Sequence, residues 1–170
     1  IKQLLSLVFN GGSADGTYVC SDASKETAAA VHKFCKENGI VCDLKNEPHC
    51  TIIYSRVALS LETLTSIDTE RKHSATFKDW AVLHTGSGKA CLVMKLNAPS
   101  LVTLHMYLMA ANPQATYDYA EYIPHVTVSY SIPSDFDVSS LPKFTEEFIF
   151  DTIKIEDLQK WNALTDYNVK

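Results

Sequence analysis

An eight-residue phrase occurs twice in this chain. Pro48-His49-Cys50-Thr51-Ile52-Ile53-Tyr54-Ser55 returns as Pro124-His125-Val126-Thr127-Val128-Ser129-Tyr130-Ser131. Proline disfavours helix for the residue before it, and the β-branched and aromatic residues that follow favour an extended chain. Both copies therefore read as strands. Side chains alternate faces on a strand, so His49 and Thr51 point one way, as do His125 and Thr127. Strict alternation puts Tyr54 and Tyr130 on the opposite face, in the core.

The repeat extends beyond the phrase. Thr17-Tyr18-Val19-Cys20 is a short strand, and a helix follows it. Asp22 or Ser24 can cap that helix, Ala28, Val31, Phe34 and Cys35 give it one apolar face, and Gly39 stops it. Cys91 to Leu96 is again a strand, and again a helix follows. Ser100 is its candidate cap, Leu101, Leu104, Leu108 and Met109 form its apolar face, and it ends before Pro113. Strand, helix and Pro-His-x-Thr strand thus occur twice, which implies two lobes related by pseudo-symmetry. Two copies are too few for a solenoid.

The remaining elements fit this frame. Leu4 to Phe9 is a candidate edge strand, and Ala75 to Leu83 a strand that turns through Gly86–Lys89 into the next. Leu59 to Arg71 fits a short helix or a loop. Phe148-Ile149-Phe150 reads as strand, turning through Asp151 to Ile153 and Ile155. The fold class is α+β: two pseudo-symmetric lobes with antiparallel sheets flanking a central groove, helices outside. Residues 1–170 make one domain, with lobes of roughly 16–72 plus the C-terminal strands, and 73–135.

Composition narrows the function. A formal net charge of −5 argues against a surface for long nucleic acid, which carries a basic stripe, but leaves room for a small nucleotide. The five cysteines are scattered, with no C-x-x-C pair, which disfavours structural zinc and suits reduced thiols in a cytosol. No apolar run is long enough for a membrane span. Ile1–Phe9 has too short an apolar run and too little positive charge for a secretion signal, and the lack of an initiator Met points to a trimmed start. Neither a cofactor nor an obligate protein partner is expected.

Two histidines, each with a threonine, suit cleavage of an RNA-type phosphodiester without metal. One group must take the proton of the 2′-hydroxyl, and another must give a proton to the departing 5′-oxygen. Histidine does both near neutral pH. Threonine hydroxyls can donate to the phosphate oxygens. A bare His-x-Thr is a weak signal, and the duplicated context is what lends it weight. Metal binding is not expected, because neither histidine has Asp, Glu or Cys at ligand spacing. His32, His73, His84 and His105 read as ordinary polar residues.

These residues resemble the 2H phosphoesterase superfamily, whose signature is two His-x-Thr/Ser motifs in pseudo-symmetric lobes. His49-Cys50-Thr51 and His125-Val126-Thr127 match both signatures, and the likeness covers the chain from Tyr18 onward. Within the superfamily the chain looks most like the phage anti-CBASS nucleases. The resemblance implies a metal-independent enzyme that degrades cyclic di- and trinucleotide signals in the cytoplasm of an infected bacterium. It implies catalytic His49, Thr51, His125 and Thr127, and base contacts from Tyr18, Trp80 and Trp161, with Glu156 reading an adenine edge. Tyr122 and the tyrosine-rich loop around it (Tyr117, Tyr119) are candidates to close over ligand. Within the same superfamily, 2′–5′ oligoadenylate or a 2′,3′-cyclic phosphate end is the alternative substrate. A nucleotide sponge without turnover is the alternative of another class.

Overall fold

Alternation of apolar and polar side chains predicts sheet for much of this chain, and the computed structural model, which describes residues 15–43, 47–84 and 89–158, contains six strands and three helices in that range. The order is β1 (Gly16–Ala23), α1 (Lys25–Glu37), β2 (His49–Ser55), α2 (Leu61–Thr65), β3 (His73–His84), β4 (Ala90–Asn97), α3 (Pro99–Ala111), β5 (His125–Ile132) and β6 (Phe148–Leu158). The edge strand expected at Leu4–Phe9, the turn residues Gly86–Gly88 and Trp161 lie outside the described residues. None of the helices described is long and apolar enough to cross a membrane.

The strands close into a ring in the order β1-β2-β5-β4-β3-β6. Every pairing is antiparallel. Two seams are short: β2 meets β5 at the single pair Cys50↔Val126, and β3 meets β6 over His73–Ala75. The seams divide the ring into β6-β1-β2 and β4-β5 with β3. The two motif strands meet at the first seam.

Local signals account for the helices. The Ser24 hydroxyl accepts from the Thr27 amide at 3.1 Å and starts α1, and Gly39 ends it with φ at +65°, the left-handed conformation that glycine adopts without steric cost. Ser60 caps α2 in the same way through the Thr63 amide. The third helix differs from expectation. It begins with Pro99 at its first position and Ala98 before it, with no side-chain cap, because proline has no amide to satisfy there. Ser100 instead hydrogen-bonds His73 Nδ1 at 2.9 Å.

The core is mainly aliphatic, with Phe144, Phe148 and Phe150 packed into it. Phe148 and Phe150 are fully buried and stack with ring centres 6.0 Å apart. In β6 an extra residue, Asp151, lies opposite the Asp22/Ala23 step. That bulge shifts the alternation so that Phe148 and Phe150 on one side of it, and Ile153 and Ile155 on the other, are all buried. The strand continues through Asp151 where a turn was expected.

Close backbone approach fixes one glycine. A Cβ at Gly16 would lie 2.3 Å from the Ser55 carbonyl oxygen. Gly16→Ala is therefore expected to destabilise the fold by about 1–3 kcal/mol, the usual range for overpacking, as read by urea denaturation. An unchanged midpoint would show that the β1–β2 end can spread.

Candidate active site

Register places the site. From Cys50↔Val126, one step each way in an antiparallel pair brings Thr51 opposite His125 and His49 opposite Thr127. Cys50 and Val126 are fully buried, so these four side chains face the other way, into the groove. The neighbouring strands continue the rows. Thr51 is flanked by Cys20 on β1 and then Lys154 on β6, and His125 by Lys95 on β4. His49 is flanked by Asp22 and then Thr152, and Thr127 by Val93. The two histidines are diagonal neighbours across the seam, which stand roughly 7–8 Å apart, with the Cβ atoms somewhat closer. That gap admits one phosphate with a ring nitrogen on each side.

Both rings are held alike. His49 Nδ1 is 3.0 Å from the Glu47 carbonyl, and His125 Nδ1 is 2.8 Å from the Ile123 carbonyl. A carbonyl only accepts, so Nδ1–H donates in each case and Nε2 is left for the groove. The motif supplies its own orienting acceptor, two residues upstream.

A feature absent from the alternation pattern shapes both strands. Ile52 is an extra residue in β2 between the pairs Val19↔Ile53 and Cys20↔Thr51. Val128 is the extra residue at the same place in β5, between Leu92↔Ser129 and Val93↔Thr127. A bulge shifts the alternation by one, and Tyr54 and Tyr130 come round to the groove side. They are 40% and 39% exposed, which corrects the expectation that they lie in the core. Tyr54 packs edge-on against Tyr18 and lines a cavity with Thr51 and His125. The Tyr130 hydroxyl stands near Thr127.

The bulges free carbonyls from the ladder, and specific donors take them up. His105 on α3 donates Nδ1–H to the Ile52 carbonyl at 2.7 Å, and the Tyr122 hydroxyl donates to the Thr51 carbonyl at 2.7 Å. The two rings stack with centres 4.2 Å apart and planes 9° apart. In the second copy, the Asp43 amide donates to the Val128 carbonyl at 3.1 Å, and the Ser129 hydroxyl donates to the Val41 carbonyl. His105 is thus a bracing residue that sequence reading passed over. Its place on the Leu101–Leu108 apolar face was the available signal.

The other anticipated residues separate into two groups. Tyr18 and Glu156 are brought to the motifs. The Tyr18 hydroxyl is 3.1 Å from Thr51 Oγ1, and burial raises its pKa and keeps it protonated. Glu156 pairs with Tyr18 across the sheet, and both line a cavity of about 820 Å³ with His49, His32, Lys25 and Lys154. Trp80 stands elsewhere, and Tyr122 sits against the backbone of β2. The Trp80 indole stacks on Phe34 and donates its N–H to the Pro142 carbonyl at 2.8 Å. Tyr122 has its hydroxyl and ring engaged in bracing β2.

Charge around the site is uneven. Asp22, opposite His49, is bound to Lys154 at 2.6 Å. The tyrosine-rich loop is tied to the end of β2, where Arg56 grips Asp118 through two bonds of 3.2 and 2.9 Å and the Thr116 amide donates to Ser55 Oγ. Tyr117 and Tyr119 thereby stand over a largely apolar cavity of about 250 Å³ beside His125. Among the described residues no cluster of three or more His, Cys, Asp or Glu has the arrangement of a metal site.

Known proteins resemble this chain in sequence and in fold. The family profile described as anti-CBASS protein Acb1 matches residues 15–164. The anti-CBASS protein Acb1 of Vibrio phage KVP40 is 33% identical over 125 residues, which cover 69% of this chain and 74% of that protein. Its counterpart in Yersinia phage phiR1-RT is 31% identical over 121 residues, covering 71% and 74%. Among solved structures, a phosphoesterase superposes with a TM-score of 0.56 at 13% identity, covering 88% of this chain and 98% of that one. E. coli LigT complexed with 3′-AMP gives 0.54 at 12%, with the same coverage. At such identities the likeness establishes the 2H phosphoesterase-like fold.

Proposed function

The chain belongs to the anti-CBASS Acb1 family, and from that premise we propose that it is a metal-independent phosphodiesterase that opens cyclic di- and trinucleotides. It would act in the cytoplasm of an infected bacterium and remove the signals that drive CBASS immunity. The observation that carries this reading is the in-register placement of His49, Thr51, His125 and Thr127 about the pair Cys50↔Val126.

The chemistry follows from that placement. One Nε2 takes the proton of a ribose 2′-hydroxyl, the 2′-oxygen bonds to phosphorus, and the P–O5′ bond breaks. The opposite histidine gives its proton to the 5′-oxygen. Nucleophile and leaving group lie on opposite sides of phosphorus, as do the two rings on the diagonal. The chain gains and loses one proton per cut, and the product is a linear nucleotide with a 2′,3′-cyclic phosphate. Thr51 and Thr127 donate to the non-bridging oxygens. Tyr18 assists by donating to Thr51 Oγ1, which leaves the threonine proton for the phosphate. Tyr18 and Glu156 face the larger cavity, where a nucleobase would stack and be read. The whole chain acts as one domain, with one histidine from each lobe.

The test is chromatography of a cyclic di- or trinucleotide incubated with the protein and EDTA. Linear product ending in a 2′,3′-cyclic or 3′-phosphate is expected, at an undiminished rate. Activity lost to the chelator would sink the metal-free mechanism. A ring bound but uncut would favour the sponge, and an unbound ring would point to a different phosphodiester.

A further inference from the structure

Two neutral hydroxyls are a weak counterweight to a phosphate that gains charge during attack, and a cation in the groove would add to them. Four described cations lie at or near it. Lys154 is ion-paired to Asp22 at 2.6 Å, and Arg56 to Asp118 at 2.9 Å. Lys25 lines the far wall of the larger cavity, on α1. Lys95 is different. It lies directly opposite His125 on the adjoining strand, and directly opposed residues of an antiparallel pair share a face. It is half-buried and lines the same cavity as His125. No described carboxylate forms an ion pair with it, including Glu121 in that cavity.

We propose that Lys95 is a further catalytic residue, whose ammonium binds a non-bridging oxygen of the scissile phosphate and holds the charge that develops there. This role rests on the phosphodiesterase reading above. Row order supports it. Thr51, His125 and Lys95 follow one another across β2, β5 and β4, so a phosphate between the histidines lies within reach of a side chain as long as lysine. A point charge aimed at developing charge acts chiefly on the transition state.

The experiment compares the parent chain with Lys95→Met, Lys95→Gln and Lys95→Arg on a cyclic dinucleotide in EDTA, with kcat, KM and thermal midpoint measured for each. Loss of one preorganised donor lowers kcat by about 10²–10³-fold in comparable sites, and that loss is expected for Met and Gln, with KM changed far less and the midpoint kept. Arginine, which retains the charge, should recover at least part of the loss. A phosphorothioate at each non-bridging position adds a readout that a packing role would not move: the parent should discriminate between the two diastereomers, and Lys95→Met should discriminate less. Full turnover in both Met and Gln variants overturns the proposal. So does a rise in KM with kcat intact, which would make Lys95 a binder of the ring alone. A parent that cuts no ring brings down the phosphodiesterase reading, and this role with it.

Discussion

Replacing either motif histidine by alanine should remove nearly all turnover while leaving the fold in place. General acid or base catalysis by a positioned side chain contributes about 10²–10⁴-fold, and His49→Ala and His125→Ala are each expected to lose that much in kcat. The double variant should lose little more than either single one, because residues that act as a unit are not additive. Stability should change only slightly. Each ring is partly exposed and, among the described residues, makes one hydrogen bond, to Glu47 or Ile123, typically worth about 0.5–1.5 kcal/mol net. His105→Ala is the useful contrast, because that ring is 7% exposed and braces the Ile52 carbonyl. It should cost clearly more in stability than the motif variants. Product chromatography and urea denaturation on the same preparations check both claims. Turnover retained in either motif variant would remove that histidine from the mechanism, and unfolding would make it structural.

Removing the 2′-hydroxyl at the scissile linkage should abolish cleavage as completely as any change in the protein. The attacking oxygen would then be gone, and water would have to replace a nucleophile held beside phosphorus. Effective molarities of well-oriented internal groups reach about 10⁵–10⁸ M, so the deoxy ring should be cut slower by a factor on the order of 10⁵ or more. Binding should survive, since the phosphates and bases are untouched. A deoxy ring retained by the protein and recovered intact is the expected result. Cleavage at the parent rate would eliminate internal attack whatever the histidines do.

The sequence made the motifs legible because they are local words on strands, and strand alternation is enough to pair His49 with Thr51 and His125 with Thr127. The Ser24 cap and the Gly39 stop were legible for the same reason. What escaped was set by long-range pairing. Nothing local marks Ile52 or Val128 as the extra residue in its strand, since each is one apolar residue among several. Yet those bulges decide the side on which Tyr54 and Tyr130 emerge. Trp80 looked like a stacking platform, and only tertiary packing shows it against Phe34. Lys95 has no motif around it, and its place opposite His125 appears once β4 lies beside β5. Ser100 lost its capping role to the proline before it.

The single pair between β2 and β5 has a mechanical consequence. Any rotation of one three-stranded half against the other about Cys50↔Val126 displaces each atom in proportion to its distance from that pivot. The four motif side chains project from within one residue of it and shift least. Glu156, on β6 beyond β1, stands farther from it and shifts more. A hinge set there would let the cleft widen while the span between the two imidazoles stays nearly constant, with the other short seam, β3 to β6 over His73–Ala75, giving alongside it.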